Sequence, residues 1–258
     1  GRFVVDLYLW MNVDTSIHSH SFSGAFKLLY GNSLHEVFDI KPTHHFSEDV
    51  MSVSIERTGL ELLAPGDTRS IIRGEVFNHR LVHLDTPTIT LCVRTIDDVK
   101  NKQWHHFENG LSIQKRSLDE KEVKALFYGQ YLFYKNPQEA IEFITEQVST
   151  WDISTAMNLF EQLTYDQMGL EEEIVQEYFN IIVHLYEDTK WFEAYNEFCE
   201  ESQSYVDLDA SSNVERLIEH TINANFKYEQ ACELVVKLQE KELSELQSMQ
   251  LSHLKSQS

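Results

Sequence analysis

A pair of histidines near the amino terminus has the spacing of metal ligands. Residues 16–20 read Ser-Ile-His-Ser-His, so a single residue separates His18 from His20. Alternate side chains of a β-strand point to the same face, and on a strand the two imidazoles would lie side by side. Neutral imidazole nitrogens at that separation suit iron, zinc, nickel or copper. The pair therefore predicts a metal site.

The elements that would hold these histidines differ between the two halves of the chain. Up to about residue 114, short apolar or alternating runs are broken by turns such as Gly31-Asn32-Ser33 and Pro65-Gly66-Asp67. This pattern indicates an antiparallel sandwich or barrel. After Ser117 apolar residues recur every three or four positions, and Asn136 before Pro137 and Ser212 before Asn213 are typical helix starts. The periodicity predicts helices over 119–135, 137–149, 153–163, 170–187, 191–201, 213–224 and 228–251.

Residues 16–39, SIHSHSFSGAFKLLYGNSLHEVFD, resemble the first motif of the cupin barrels. Within that superfamily they are most similar to cysteine dioxygenases and related thiol dioxygenases. Further on, Pro65-Gly66-Asp67, the run 71–77 and Asn78-His79-Arg80 resemble the second motif, whose strand carries the third histidine. The resemblance spans about residues 13–94. It implies a cupin-like barrel in 1–116 and His18, His20 and His79 as ligands of Fe(II). Together with the helical periodicity, this predicts an α+β protein with an all-α helical domain in 117–258.

The chain also departs from the family pattern in informative ways. Most cupins have a glutamate four or five residues after the histidine pair, where this chain has Gly24 and Ala25. Three histidines without a carboxylate are what thiol dioxygenases use. However, Gly24-Ala25 offers no cysteine for the cross-link to tyrosine of the animal enzymes. The family's Ser-x-His-x-Tyr strand falls on residues 90–94, which keep neither its histidine nor its tyrosine, so cysteine itself is a poor substrate candidate.

Other residues near the second motif are candidates for catalysis. His83 lies four residues after His79, so on a regular strand both would face inward. His83 would either replace His79 as the third ligand or act as a base or as an orienter of a bound ligand; we favour His79 because of its Asn-His-Arg context. Arg80, Arg94 and Arg73 are candidates for holding the carboxylate of a substrate, with an ordinary salt bridge as the alternative for each.

Charge and composition limit the classes of partner. The 42 acidic and 21 basic residues give a net charge of −21, which disfavours a general nucleic-acid binder and would favour a cationic protein partner. Three dispersed cysteines predict a reducing, cytoplasmic location. No apolar run approaches the roughly 20 residues of a membrane helix. Because the chain starts at Gly1 without a methionine, we expect a fragment that lacks upstream residues.

Two hypotheses of function follow. The first is an Fe(II)-dependent, cofactor-free oxygenase acting on a small molecule or on a residue of a peptide, with zinc, nickel or manganese as alternative metals. The second is a sensor or assembly module, non-catalytic or differently metallated, whose helical domain binds a protein partner. Pairing of cupins through barrel edges would make either one a homodimer.

Overall fold

The fold comes from a computed structural model that describes residues 2–11, 14–96, 103–114, 119–151, 155–156, 172–187, 189, 192 and 208–241. The predicted α+β organisation, with a barrel followed by helices, is confirmed. Ten strands precede the helices along the chain. They are β1 (Phe3–Trp10), β2 (Ile17–His20), β3 (Gly24–Tyr30), β4 (Ser33–His45), β5 (Val50–Leu63), β6 (Thr68–Ile71), β7 (Gly74–His83), β8 (Thr88–Thr95), β9 (Trp104–His106) and β10 (Leu111–Gln114).

The strands form two sheets. One is four-stranded with the order β1-β8-β3-β6, and the other closes into a barrel with the order β10-β5-β4-β7-β2-β9. Strand β7 pairs antiparallel with both β2 and β4, so it lies between the histidine pair and residues 33–38. The short alternating runs predicted an antiparallel sandwich or barrel, and this sheet is a closed barrel.

Glycine at position 24 is required by the close approach of β3 to β8. A Cβ atom there would collide with the carbonyl oxygen of Val93 and come within 2.8 Å of Arg94 Cα. The glutamate that most cupins have in this region therefore has no space at Gly24. Packing between strands explains the missing carboxylate at that position.

The described helices lie close to the predicted ranges, and residues 242–251 of the last predicted helix lie outside the described residues. The helices are α1 (Glu120–Lys135), α2 (Pro137–Ser149), α3 (Glu172–Tyr186), α4 (Asn213–Asn223) and α5 (228–241). Asp119 and Ser212 each form a capping box, whereas the side chain of Asn136 makes no capping hydrogen bond. The predicted helices 153–163 and 191–201 lie almost wholly outside the described residues. No described helix is long and apolar enough to cross a membrane.

The chain divides into two compact units. One comprises Gly1–Asp39, Glu56–Asn101 and Gln203–Ser258, and the other comprises Ile40–Ile55 and Lys102–Ser202. In the first unit, Leu34 and Val82 of the strands form a core with Leu217 and Leu238 of the last two helices. In the second, α1, α2 and α3 pack around Leu126, Ile144 and Tyr178. This division follows packing, whereas the boundary at residue 116 follows the change in periodicity and stays a prediction.

Candidate metal centre

Three histidines from two neighbouring strands come together inside the first unit. His18 and His20 lie on β2, and His79 lies opposite His18 on β7. All three are buried, with at most 9% of each residue exposed. One ring nitrogen from each lies within 4.8 Å of the other two. The structure thus brings together the three residues that the sequence proposed as metal ligands, and we call them the histidine cluster.

Two of the three rings face each other through the same nitrogen. His20 Nε2 lies 2.8 Å from His79 Nε2. Two nitrogens that bind one ion at about 2.1 Å and at right angles would be about 3.0 Å apart. The spacing of this pair therefore suits two adjacent ligands of a single ion.

The remaining nitrogens of two of these rings are oriented by neighbours. His18 Nδ1 lies 2.7 Å from the carbonyl oxygen of Ser16, to which it donates. His79 Nδ1 lies 2.9 Å from Nε2 of His35, and His35 Nδ1 lies 2.8 Å from Oε1 of Glu61. Such outer contacts fix the tautomer of a metal-binding histidine and direct its other nitrogen. Local sequence patterns do not indicate a role for His35, because the residues that it contacts are 26 and 44 positions away in the chain.

Burial keeps these imidazoles neutral. Removal from water lowers the pKa of His18 and His35, although the carbonyl of Ser16 and the carboxylate of Glu61 act in the opposite direction. The pKa of His79 falls well below its ordinary value because of burial and because His18, His20 and His35 surround it. Metal ions bind the neutral form of histidine. At neutral pH His18 and His79 are thus ready to bind a metal without first losing a positive charge.

Aromatic rings surround the cluster. Phe22 lies 4.8 Å from the ring centre of His20, Phe77 lies 4.8 Å from that of His79, and Phe26 lies 5.9 Å from it. Phe26 also belongs to the buried core of the four-stranded sheet. These rings keep water away from the histidines, which explains the direction of the pKa changes.

His83, the rival third ligand, lies outside this group. Its Nδ1 is 2.9 Å from the hydroxyl of Ser33, and its ring stacks on Trp10 at 4.7 Å between centres. Burial lowers the pKa of His83 to about 4. Its Nε2 has no hydrogen-bond partner among the described residues.

Arg80 lies on the opposite face of β7 from His79, as alternation along a strand requires. Its Nε donates to Glu36 Oε2 at 2.7 Å. Arg57 Nε lies 2.7 Å from Glu36 Oε1, and His220 Nε2 lies 2.9 Å from Glu36 Oε2. Burial would raise the pKa of Glu36, but His220 and Arg80 lower it to about 2. We call these four residues the Glu36 cluster. No motif or spacing in the sequence indicates that Glu36 and His220 meet, because they are 184 residues apart.

Arg94, the other candidate anion-binding residue, is also in an ion pair. Its Nε donates to Asp6 at 2.7 Å. Its guanidinium lies over the ring of Phe22, 4.7 Å from the ring centre, and Phe22 in turn contacts His20. One aromatic ring thus separates Arg94 from the histidine cluster, whereas Arg80 points away from it.

Comparisons with known proteins found partial matches to solved structures and nothing else. The chain matches no protein-family model and no curated protein. Solved structures with a similar fold include a DMSP lyase from Ruegeria pomeroyi, with 15% identity, a TM-score of 0.28 and coverage of 39% of this chain and 41% of that one. The chain thus spans less than half of the lyase's length.

Two further structures are enzymes of other kinds. The hydroquinone 1,2-dioxygenase from Sphingomonas has 10% identity, a TM-score of 0.28 and coverage of 38% of this chain and 61% of that one. A sugar phosphate isomerase of the cupin superfamily from Silicibacter pomeroyi has 16% identity, a TM-score of 0.29 and coverage of 47% and 74%. Likeness at this level says nothing about the reaction, for which the side chains are the guide.

Proposed function

We propose that His18, His20 and His79 bind one divalent metal ion, with Fe(II) as the first candidate, and that the protein is an oxygenase acting on a small molecule or on a residue of a peptide. The observation that carries this proposal is the convergence of three buried imidazoles. Imidazole ligands suit iron, zinc and nickel, and carboxylate-rich sites suit magnesium or calcium. When bound, Fe(II) would supply the oxygen chemistry.

The residues of the chain would supply binding, orientation and a dry site. Three neutral ligands leave the charge of a divalent ion uncompensated, so the site would favour an anionic substrate group such as a thiolate or carboxylate. The rings of Phe22, Phe26 and Phe77 would exclude water from it. Both arginines are in ion pairs, but Arg94 is the better candidate for binding a substrate anion, because Phe22 lies between it and His20, whereas Arg80 lies on the opposite face of β7 from His79.

The first test of this proposal is the metal content of the purified protein. The protein is purified without oxygen, reconstituted with Fe(II), and analysed together with the His18→Ala, His20→Ala, His79→Ala and His83→Ala variants. We expect close to one iron per chain in the wild type and in His83→Ala, and loss of iron in the other three. Oxygen uptake is then measured with thiols and peptides. Wild-type protein that retains no metal, or equal retention by His79→Ala, would remove the basis for an oxygenase.

The second candidate, an assembly module, is favoured by the outer face of the four-stranded sheet. Phe3, Val5, Leu7 and Leu9 alternate along β1 and are exposed by 69%, 54%, 67% and 61%. On β8 their neighbours are Val93, Leu91 and Ile89, which are also uncharged. A large apolar surface on a folded protein marks an interaction site. We propose this uncharged face as the contact of a homodimer, in spite of the repulsion between two chains of charge −21.

Light scattering during size-exclusion chromatography tests the dimer. We expect the wild type to have twice the 30.2 kDa mass of one chain, and Leu7→Lys to have the mass of a monomer. Tyr228→Lys, which changes a residue that is 79% exposed on α5, is the matched control and should remain a dimer. A monomeric wild type at its highest soluble concentration would rule the interface out.

A further inference from the structure

A row of hydrogen bonds connects the histidine cluster to an ion pair that is partly exposed. It runs from His79 through His35 and Glu61 to Arg69. The two histidines are 2% exposed, whereas the side chains of Glu61 and Arg69 are 38% and 33% exposed. The row therefore joins the buried cluster to the surface of the sheet.

The chemistry of each member determines where the protons lie. Arg69 Nε donates to Glu61 Oε1 at 2.7 Å, and the guanidinium also binds the second carboxylate oxygen. Beside a guanidinium, Glu61 is an ionised carboxylate, which only accepts hydrogen bonds. The nitrogen of His35 that faces it, Nδ1, must consequently carry a proton.

The same reasoning continues inward. A neutral His35 with its proton on Nδ1 has a lone pair on Nε2, and the group 2.9 Å from that lone pair is His79 Nδ1. His79 must then carry its own proton on Nδ1, and its Nε2 is left as a lone pair. Nε2 is the atom that faces His20.

We propose that Glu61 and His35 are positioning residues that fix the tautomer of His79, so that the lone pair of His79 Nε2 points into the histidine cluster. This inference rests on the proposed metal site for its purpose, but the tautomer itself exists without a metal. Outer partners of metal-binding histidines typically change metal affinity by about 10- to 100-fold when they are removed.

The same assignment has a consequence for His20. With a lone pair on His79 Nε2, the 2.8 Å contact between the two Nε2 atoms requires His20 to donate a proton from its own Nε2 in the metal-free protein. For a metal ion to bind at His20 Nε2, the proton on that nitrogen would have to move to Nδ1, so that His20 binds as a neutral imidazole and no net proton is released. His20 and His79 therefore begin from opposite tautomers.

Nuclear magnetic resonance tests the assignment without any metal. Long-range proton–nitrogen correlations on ¹⁵N-labelled, metal-free protein at neutral pH report which nitrogen of each histidine is protonated. We expect Nδ1 protonation for His35 and His79 and Nε2 protonation for His20. Protonation of His79 at Nε2 would overturn the proposal.

Variants test the consequence for binding, with Zn(II) as the probe. Glu61→Gln replaces a pure acceptor with a group that also donates, so the tautomer of His35 is no longer fixed; we expect both tautomers of His79 and about 10- to 100-fold weaker Zn(II) binding. Glu56→Gln, an exposed change on the same strand, is the matched control and should bind as the wild type does. Unchanged spectra and affinity in Glu61→Gln would also overturn the proposal.

The result separates the two proposals. If the wild type binds neither Zn(II) nor Fe(II), the proposed function fails, while the spectra of the metal-free protein still decide the tautomers. If the metal binds tightly and Glu61→Gln makes no difference, the metal site stands and the positioning role is wrong.

Discussion

Strand β7 has a polar cluster on each of its faces, and the two differ in how their charges are compensated. On one face, His79 joins the histidine cluster, whose row of outer contacts ends in the Glu61–Arg69 pair. On the other face, Arg80 joins the Glu36 cluster, where a fully buried carboxylate meets two guanidinium groups and His220. The Glu36 cluster contains its own counter-charges, whereas the histidine cluster presents ring nitrogens that a cation would satisfy. We propose that the Glu36 cluster contributes to stability and that the histidine cluster binds a cation.

The largest predicted effect is the loss of stability when Glu36 is replaced. Glu36→Gln would leave Arg57 and Arg80 without the charge that compensates them, and removal of one partner of a buried ion pair costs about 3–5 kcal/mol. We expect a loss of this size in the free energy of unfolding, measured by urea denaturation, with no loss of iron from the folded fraction. A loss below about 1 kcal/mol would show that the Glu36 cluster is not what stabilises this face.

The pH dependence of stability gives the next largest effect. Burial lowers the pKa of His83 from an ordinary 6.5 to about 4. The unfolded chain therefore binds a proton at this residue over a range in which the folded protein does not, and stability falls as the pH drops from about 6.5 towards 4, by roughly 3 kcal/mol in total.

His83→Phe removes that contribution. Urea denaturation of the wild type and of this variant at several pH values should show a weaker decline for the variant between pH 6.5 and 4. Parallel curves would mean that His83 is not neutral in the folded protein.

The smallest predicted effect concerns the helix that carries His220. The hydroxyl of Ser212 accepts a hydrogen bond from the backbone N–H of Glu215, and the Glu215 carboxylate accepts one from the backbone N–H of Ser212. Ser212→Ala should lower the free energy of unfolding by about 1 kcal/mol. Asn136→Ala is the control. Because the side chain of Asn136 makes no capping hydrogen bond, this change should lower the free energy of unfolding by less than Ser212→Ala does. Equal effects would contradict the capping account.

The parts of the site that follow from local patterns could be predicted from the sequence. Alternation along a strand is enough to place His18 and His20 together, and the Pro65-Gly66 turn and the following strand indicate His79. The contacts of His35 and Glu36 could not be predicted, because their partners come from other strands and, for His220, from a helix 184 residues away. Strand register decides those contacts, and local periodicity contains no information about it. The orientation of Arg80 is an intermediate case: alternation alone implies that Arg80 and His79 point in opposite directions, although the resemblance favoured Arg80 as a functional residue.

We propose that the histidine cluster binds a cation and that the Glu36 cluster does not. Calorimetric titration of Fe(II) into metal-free protein under nitrogen tests it most directly, with His79→Ala and His220→Gln as the matched pair from the two clusters. We predict one Fe(II) bound per chain in the wild type and in His220→Gln, and no binding in His79→Ala. Equal binding by all three proteins, or by none of them, would contradict the account.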